Sequence, residues 1–341
     1  MIYLNCDYLE GAHPAVMARL AETNLEQTIG YGEDPYCAQA AGMIRDRFGC
    51  PEAQVHFLVG GTQANTTLIA AALRPYEGVL CADTGHINTH ETGAIESTGH
   101  KCLTLPSRDG TITAQQVRDA VALQGDDEHV VKPGMVYISL STELGTMYTR
   151  QQLADLYAAC RELGLYLYID GARLGCGLAA PDCDITPADV ARFSDAFTVG
   201  GTKLGALFGE AMVISNQGLN RNFRYMMKQR GGLLAKGRLL GVQFIALMED
   251  DLYFSLGRKA VAQALRIRQA LNDAGIPLLI DSPTNQQFPI FTEAQAAALS
   301  RDFTLSTWER LPDGRIAMRV CTAWATPDAY VDQFIAAVQA L

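Results

Sequence analysis

Residues 165–175 read LYLYIDGARLG, an apolar run that stops on Asp170 and continues into Gly171, Ala172 and Arg173. Five consecutive leucine, tyrosine and isoleucine residues suit a strand covered on both faces, because neither face then needs polar groups for water. Ligands of α/β proteins bind just beyond the carboxyl ends of parallel strands. Asp170 therefore stands where a site is expected, and a carboxylate ending so apolar a run is costly to bury without partners.

Working outward, similar β-rich runs recur at 55–59 (VHFLV), 78–83 (GVLCAD), 101–105 (KCLTL), 135–140 (MVYISL), 196–199 (AFTV) and 210–215 (EAMVIS), with helical patterns between them. That alternation predicts an α/β fold with a mainly parallel sheet. The segment TRQQLADLYAACRELG reads as a complete helix: Thr149 and Gln152 have capping-box spacing, Leu153, Leu156, Tyr157 and Cys160 share one face, and Gly164 can end it. A long helical pattern, broken by RGGLL, follows residue 217. The expected organisation is a large α/β domain over 1–250, including the amino-terminal segment, and a small α+β domain over 251–341. In the latter, Thr326 as N-cap and Pro327 at the first helical position mark the closing helix.

With 341 residues, 48% of them hydrophobic and 19% charged, the chain can bury an enzyme-sized core. A net charge of −10 with dispersed basic residues disfavours nucleic acid and anionic membranes as partners. The start, MIYLNCDYLEG, lacks a basic and apolar leader, and no apolar run approaches membrane-spanning length, so a cytoplasmic protein is expected. Nine cysteines, without a CxxC, read as reduced core residues rather than zinc ligands.

The strand after LYLYID, AFTVGG, delivers Lys203 of TVGGTKLGALFG to the same sheet edge as Asp170. A lysine and a strand-end carboxylate are what pyridoxal 5'-phosphate chemistry requires. The lysine forms a Schiff base with the cofactor aldehyde, and the carboxylate keeps the pyridine nitrogen protonated so that the ring can absorb electrons. A phosphate cradle should come earlier in the chain. VHFLVGGTQANTTLIAAAL supplies one, a strand, then Gly60 and Gly61, then Thr62 opening a helix whose free N–H groups favour an anion.

These features, in this order, resemble the fold-type I pyridoxal phosphate enzymes, an aminotransferase-like fold. More closely, DGARLG and GGTKLGALFGEAMV are similar to elements of the threonine aldolase and β-eliminating lyase family. So are EGAHPAV, GYGEDPY, DTGHINTHETGA and RVCTAWAT, and the resemblance spans nearly the whole chain. It implies Lys203 as the Schiff-base lysine, Asp170 on the pyridine nitrogen and His86 stacked on the ring. It implies Gly60, Gly61, Thr62 and Thr202 around the phosphate. Arg173 would lie near the cofactor's phenolic oxygen and the substrate carboxylate, Arg319 would be the main carboxylate partner, and Tyr31 would line the substrate site.

The activity implied is retro-aldol cleavage of a β-hydroxy-α-amino acid, threonine, allo-threonine or phenylserine, to glycine and an aldehyde. His86, or a water it holds, would take the β-hydroxyl proton. Another pyridoxal phosphate activity on amino acids, β-elimination or transamination, and a non-catalytic relative stay open. The resemblance further implies a homodimer or homotetramer with sites between subunits; Arg230 or Lys236, beside GG, would reach a neighbour's phosphate or stand solvated at the surface.

Competing readings fit less well. His86 and His90 have the spacing of a metal pair, but Ile87 replaces the glutamate of HExxH and no third ligand is evident. GCGLAA, 175–180, satisfies a loose dinucleotide-binding pattern, yet DGARL intervenes between strand and glycines. Arg315 and Arg319 share a strand face, and Arg315, next to a turn, reads as solvated. The family's second histidine is missing: Glu143 follows Thr142 in SLSTELGTMY, and either a proton-transfer or a structural role suits it.

Overall fold

A computed structural model describes residues 1–341. After β1 (Ile2–Tyr3), the strands β2 (Gln54–Leu58), β3 (Glu77–Ala82), β4 (Cys102–Leu105), β5 (Lys132–Ser139), β6 (Tyr166–Asp170), β7 (Ala196–Gly200) and β8 (Glu210–Ile214) build one seven-stranded sheet. Its order is β2-β8-β7-β6-β5-β3-β4. Neighbours from β7 to β4 run parallel, and β8 alone is antiparallel to both of its partners.

Period-two alternation sorts the sheet's side chains onto two faces. Val136, Ile138, Leu167, Ile169, Phe197 and Val199 join the larger core, together with residues of the helices Pro35–Phe48, Arg150–Leu163 and Arg238–Met248. Met135, Tyr137, Tyr168, Ala196 and Met212 join a second core under the helix Gly61–Ala72. With both faces covered, the central strands tolerate almost no exposed residue, which is why they read as continuous apolar runs.

Local expectations are met in the helix Arg150–Leu163. Thr149 accepts from the Gln152 amide at 3.2 Å, the Gln152 side chain accepts from the Thr149 amide at 2.8 Å, and Gly164 closes the helix in the left-handed region. Two expectations need correction. Pro327, not Thr326, occupies the cap position of the closing helix Asp328–Gln339, because the Thr326 hydroxyl turns back to accept from the Ala323 amide at 2.8 Å. The first residues also leave the large unit. Tyr3 and Ile2 pair in parallel with β11 (Phe303–Thr304), and Ile2 and Leu4 pack with Ile267, Phe291, Phe303 and Phe334 in the carboxy-terminal core.

That carboxy-terminal core lies between helices and a small sheet of β9 (Gln286–Gln287), β10 (Ile290–Phe291), β12 (Ser306–Arg310) and β13 (Ile316–Cys321). The expected boundary at 250/251 falls where Asp250 and Asp251, both at positive φ, separate the helices Arg238–Met248 and Leu252–Asp273.

Two glycines of the 165–177 stretch are explained by close approach. A Cβ on Gly171 would stand 1.9 Å from the Thr198 carbonyl oxygen, where the ends of β6 and β7 converge. A Cβ on Gly175 would stand 2.7 Å from Leu204 and 2.9 Å from Tyr253, so this glycine serves packing rather than phosphate binding. Gly171→Ala should therefore cost about 3 kcal/mol or more, since backbone rather than a flexible side chain must yield. Urea unfolding checks this: a midpoint like that of the parent chain would contradict the packing described.

Candidate active site

The carboxyl edge of the sheet opens into a cavity of about 270 Å³. Its walls carry Gly60, Gly61 and Thr62 after β2, His86 after β3, Asp170 and Arg173 from the end of β6, and Thr202 and Lys203 after β7. The structure thus brings together eight of the expected site residues, drawn from four separate strand ends.

Asp170 is 5% exposed, and donors compensate its burial. Oδ1 accepts the Ala172 amide at 2.9 Å; Oδ2 accepts the Tyr137 hydroxyl at 2.7 Å and Asn65 Nδ2 at 3.2 Å. Asn65 Oδ1 in turn accepts the Tyr168 hydroxyl at 2.7 Å, which fixes the orientation of the amide. Burial and the neighbouring Asp170 charge push both tyrosine hydroxyls well above their ordinary range, so they remain donors.

His86 sits at the opposite side of the same network. Its Nδ1 lies 2.7 Å from Glu91 Oε1, which also accepts Asn65 Nδ2 at 2.6 Å. Its backbone N–H donates to Glu143 Oε1 at 2.9 Å, and the Ser139 hydroxyl donates to the same oxygen at 2.6 Å. The Tyr137 and Ser139 hydroxyls are 3.2 Å apart. Each has one hydrogen, already given to a carboxylate, so that contact carries no proton. Burial raises the Glu143 carboxyl above its usual range.

Arg173 is clamped by Asp7, which accepts Nε at 2.7 Å and Nη2 at 2.9 Å; Asn285 also donates to Asp7, at 2.9 Å. Burial would raise the Asp7 carboxyl, but Arg173 and Lys203 outweigh it and hold the group well below the usual range. The bidentate edge of Arg173 is therefore occupied. Arg319 lies apart from the cavity wall, donating from Nη2 to the Asn5 carbonyl at 2.9 Å, with its guanidinium 5.9 Å from the Trp308 ring centre and its buried Nε unpartnered. Arg315 is held by Asp313 at the turn.

Tyr31 is not brought into this cavity. It is 45% exposed, at positive φ, and borders a separate cavity with Asp34, His56 and Arg224. Arg230 stands beside Thr62 and Gln63 of its own chain, whereas Lys236 is exposed.

Sequence reasoning missed Asp7, Asn65, Glu91, Ser139, Tyr137 and Glu210. Glu210 is reached through the antiparallel strand. Because β8 runs against β2 and β7, pairing Glu210 with Leu58 and Gly200, its first residue arrives at the edge where its neighbours end. Glu210 is 4% exposed, and its Oε2 has no hydrogen-bond partner. Burial, with help from Asp170, pushes its carboxyl from 4.5 up to about 8. Burial and Arg173 lower the Lys203 ammonium from its ordinary range, which favours the nucleophilic free amine.

The model of the β-eliminating lyase family matches residues 4–294. The chain belongs to that family. It is similar to the low specificity L-threonine aldolase of a Pseudomonas species, 32% identical over 341 residues that cover 98% of this chain and 96% of the relative. The Pseudomonas aeruginosa low specificity L-threonine aldolase is 34% identical over 298 residues, covering 86% of this chain and 85% of that one. The Leishmania major threonine aldolase structure superposes with a TM-score of 0.98 at 45% identity, over 100% of this chain and 99% of that one. The fold-type I resemblance read from the sequence holds.

The residues present fit the family's cofactor. A Cβ on Gly60 or Gly61 would meet nothing within 4 Å, and the helix Gly61–Ala72 has no side-chain cap, so its first N–H groups face open space. A planar pyridinium would find an acceptor in Asp170, and an aldehyde would find an amine in Lys203.

The shift of Glu210 has a consequence for stability. Between about 4.5 and about 8 the folded chain keeps this proton while the unfolded chain has released it. Stability without cofactor should therefore fall as pH rises through that window, by up to about 1.4 kcal/mol per unit. Glu210→Gln should remove this slope. Urea midpoints of both cofactor-free proteins at pH 5 and pH 8 check it, and parallel behaviour would refute the assignment.

Proposed function

We propose that this chain is a pyridoxal-phosphate-dependent threonine aldolase, cleaving threonine or a related β-hydroxy-α-amino acid to glycine and an aldehyde. The observation that carries this reading is the convergence of an open glycine cradle, Asp170 and Lys203 on one cavity wall, beside a histidine held at Nδ1. When bound, the cofactor supplies an aldehyde for a lysine amine and an electron sink for the bond that breaks at Cα.

Lys203 is the covalent anchor, and the free helix end at Gly60–Thr62, with Thr202, holds the phosphate. Thr202 Oγ1 accepts the Gly209 amide at 3.1 Å, which leaves its own hydrogen to donate. Asp170, its two oxygens fixed by three donors, stands against the pyridine nitrogen. Arg319, although it stands outside the cavity wall, is the proposed main partner of the substrate carboxylate, since its buried Nε lacks an acceptor whereas two donors of Arg173 are spent on Asp7. Nη1 of Arg173 completes the pocket.

His86 Nε2 accepts the β-hydroxyl proton. Glu143, with one oxygen fixed by the His86 amide and Ser139, braces that loop from the position where the family's second histidine is missing. A homo-oligomer completes this reading. Tyr31, half-exposed and stacked by Lys228 at 4.7 Å, then faces a neighbouring copy's cavity rather than its own.

Product analysis on L-threonine, L-allo-threonine and phenylserine tests the reading. Glycine with aldehyde is expected; ammonia with keto acid would replace it by β-elimination. Lys203→Ala should lose the visible absorption that the parent protein gains with pyridoxal phosphate, and His86→Asn should lose turnover by on the order of 10²-fold. Full turnover in His86→Asn would remove His86 as the base.

A further inference from the structure

A histidine acts as a proton acceptor at one ring nitrogen only if the other nitrogen holds the hydrogen, and the partner of that second nitrogen decides which tautomer prevails. His86 Nδ1 faces Glu91 Oε1 at 2.7 Å, and the Glu91 side chain is wholly buried. Where this oxygen serves as acceptor, as it does toward Asn65 Nδ2, the contact puts hydrogen on Nδ1 and leaves the Nε2 lone pair free. Glu91 lies five positions after His86, beyond the short helix His86–Thr89, and does not line the cavity itself.

A second buried carboxylate, Asp170, belongs to the same network, and Asn65 stands between the two. Its Nδ2 hydrogens divide, one to Glu91 and one to Asp170, while the Tyr168 hydroxyl occupies Oδ1. Two carboxylates sharing a proton would blur both roles, since one would become the acid. An amide cannot release a proton near neutral pH, so Asn65 links the carboxylates mechanically and keeps them separate as proton carriers.

We propose that Glu91 is the positioning residue that fixes His86 as the Nδ1–H tautomer and aims Nε2 at the reacting hydroxyl, with Asn65 insulating this carboxylate from Asp170. This rests on the reading of His86 as the base. The other ionisable groups around His86 do not compete for its ring. Glu143 binds the backbone amide, and His90 meets the ring edge-on at 5.6 Å. Lys203, Arg173 and Glu210 lie elsewhere on the cavity wall.

Nitrogen-15 NMR of histidine-labelled, cofactor-free protein reads the tautomer directly, with His86→Asn identifying the signal. The native chain should show His86 with hydrogen on Nδ1, whereas hydrogen on Nε2 would overturn the proposal without any Glu91 variant. Glu91→Ala should give mixed tautomers and lower kcat by on the order of 10²-fold with KM little changed. Glu91→Gln keeps an acceptor oxygen and should recover part of both. A Glu91→Ala protein with native tautomer and native kcat, beside an impaired His86→Asn, would reject the role of Glu91 alone. Full turnover in His86→Asn would instead reject His86 as base, and with it any catalytic effect of Glu91.

Discussion

The burial of one carboxylate organises this molecule. Asp170 ends the central strand β6 at the point where the sheet's apolar interior meets the cavity, and an uncompensated charge there would be costly. Its donors come from three places: Tyr137 on β5, Asn65 in the helix Gly61–Ala72, and the Ala172 amide just beyond the strand. Satisfying Asp170 therefore also fixes the helix whose free end forms the glycine cradle. Through Asn65 the same requirement extends to Glu91 and His86. Asp170, the glycine end of that helix and His86 are held in register by the need to pair one buried charge.

A second buried charge ties the two parts of the chain together. Asp7 clamps Arg173 of the large unit and accepts from Asn285 of the carboxy-terminal one, while the Asn5 carbonyl accepts from Arg319. The residues just before them, Ile2 and Leu4, are buried in the carboxy-terminal core. The amino-terminal segment thus acts as a strap whose apolar end is anchored in one core and whose polar end holds Arg173 on the cavity wall and Arg319 outside it. Such a geometry makes Arg173 a positioned cation more than a free carboxylate fork.

The strands were legible because covered strands must be largely apolar, and the runs around Val55, Cys81, Val136, Leu167, Phe197 and Met212 all lie in observed strands. Lys203, Asp170 and Thr62 were legible because their residue types, each at a strand end, match one chemistry. Asn65 was not, since an asparagine one turn into a helix looks like any solvated position until Tyr168 and Asp170 close over it. Glu91 and Asp7 likewise carry no local signature, and their partners are remote or on another element. Thr326 misled because threonine before proline has the right local pattern for a cap, whereas the competing Ala323 amide is set by the turn before it.

By itself the sequence determined whatever depends on neighbours along the chain: the apolar runs, the capping of Arg150–Leu163, and the residue types that stand at the strand ends. Only the tertiary structure decided the order β2-β8-β7-β6-β5-β3-β4 and the reversed direction of β8. It also decided the meeting of Glu210 with Lys203 and of Glu91 with His86. The physical reason is that strand order and buried polar pairing are settled by which distant groups can satisfy one another once water is excluded. No stretch of local sequence records that balance.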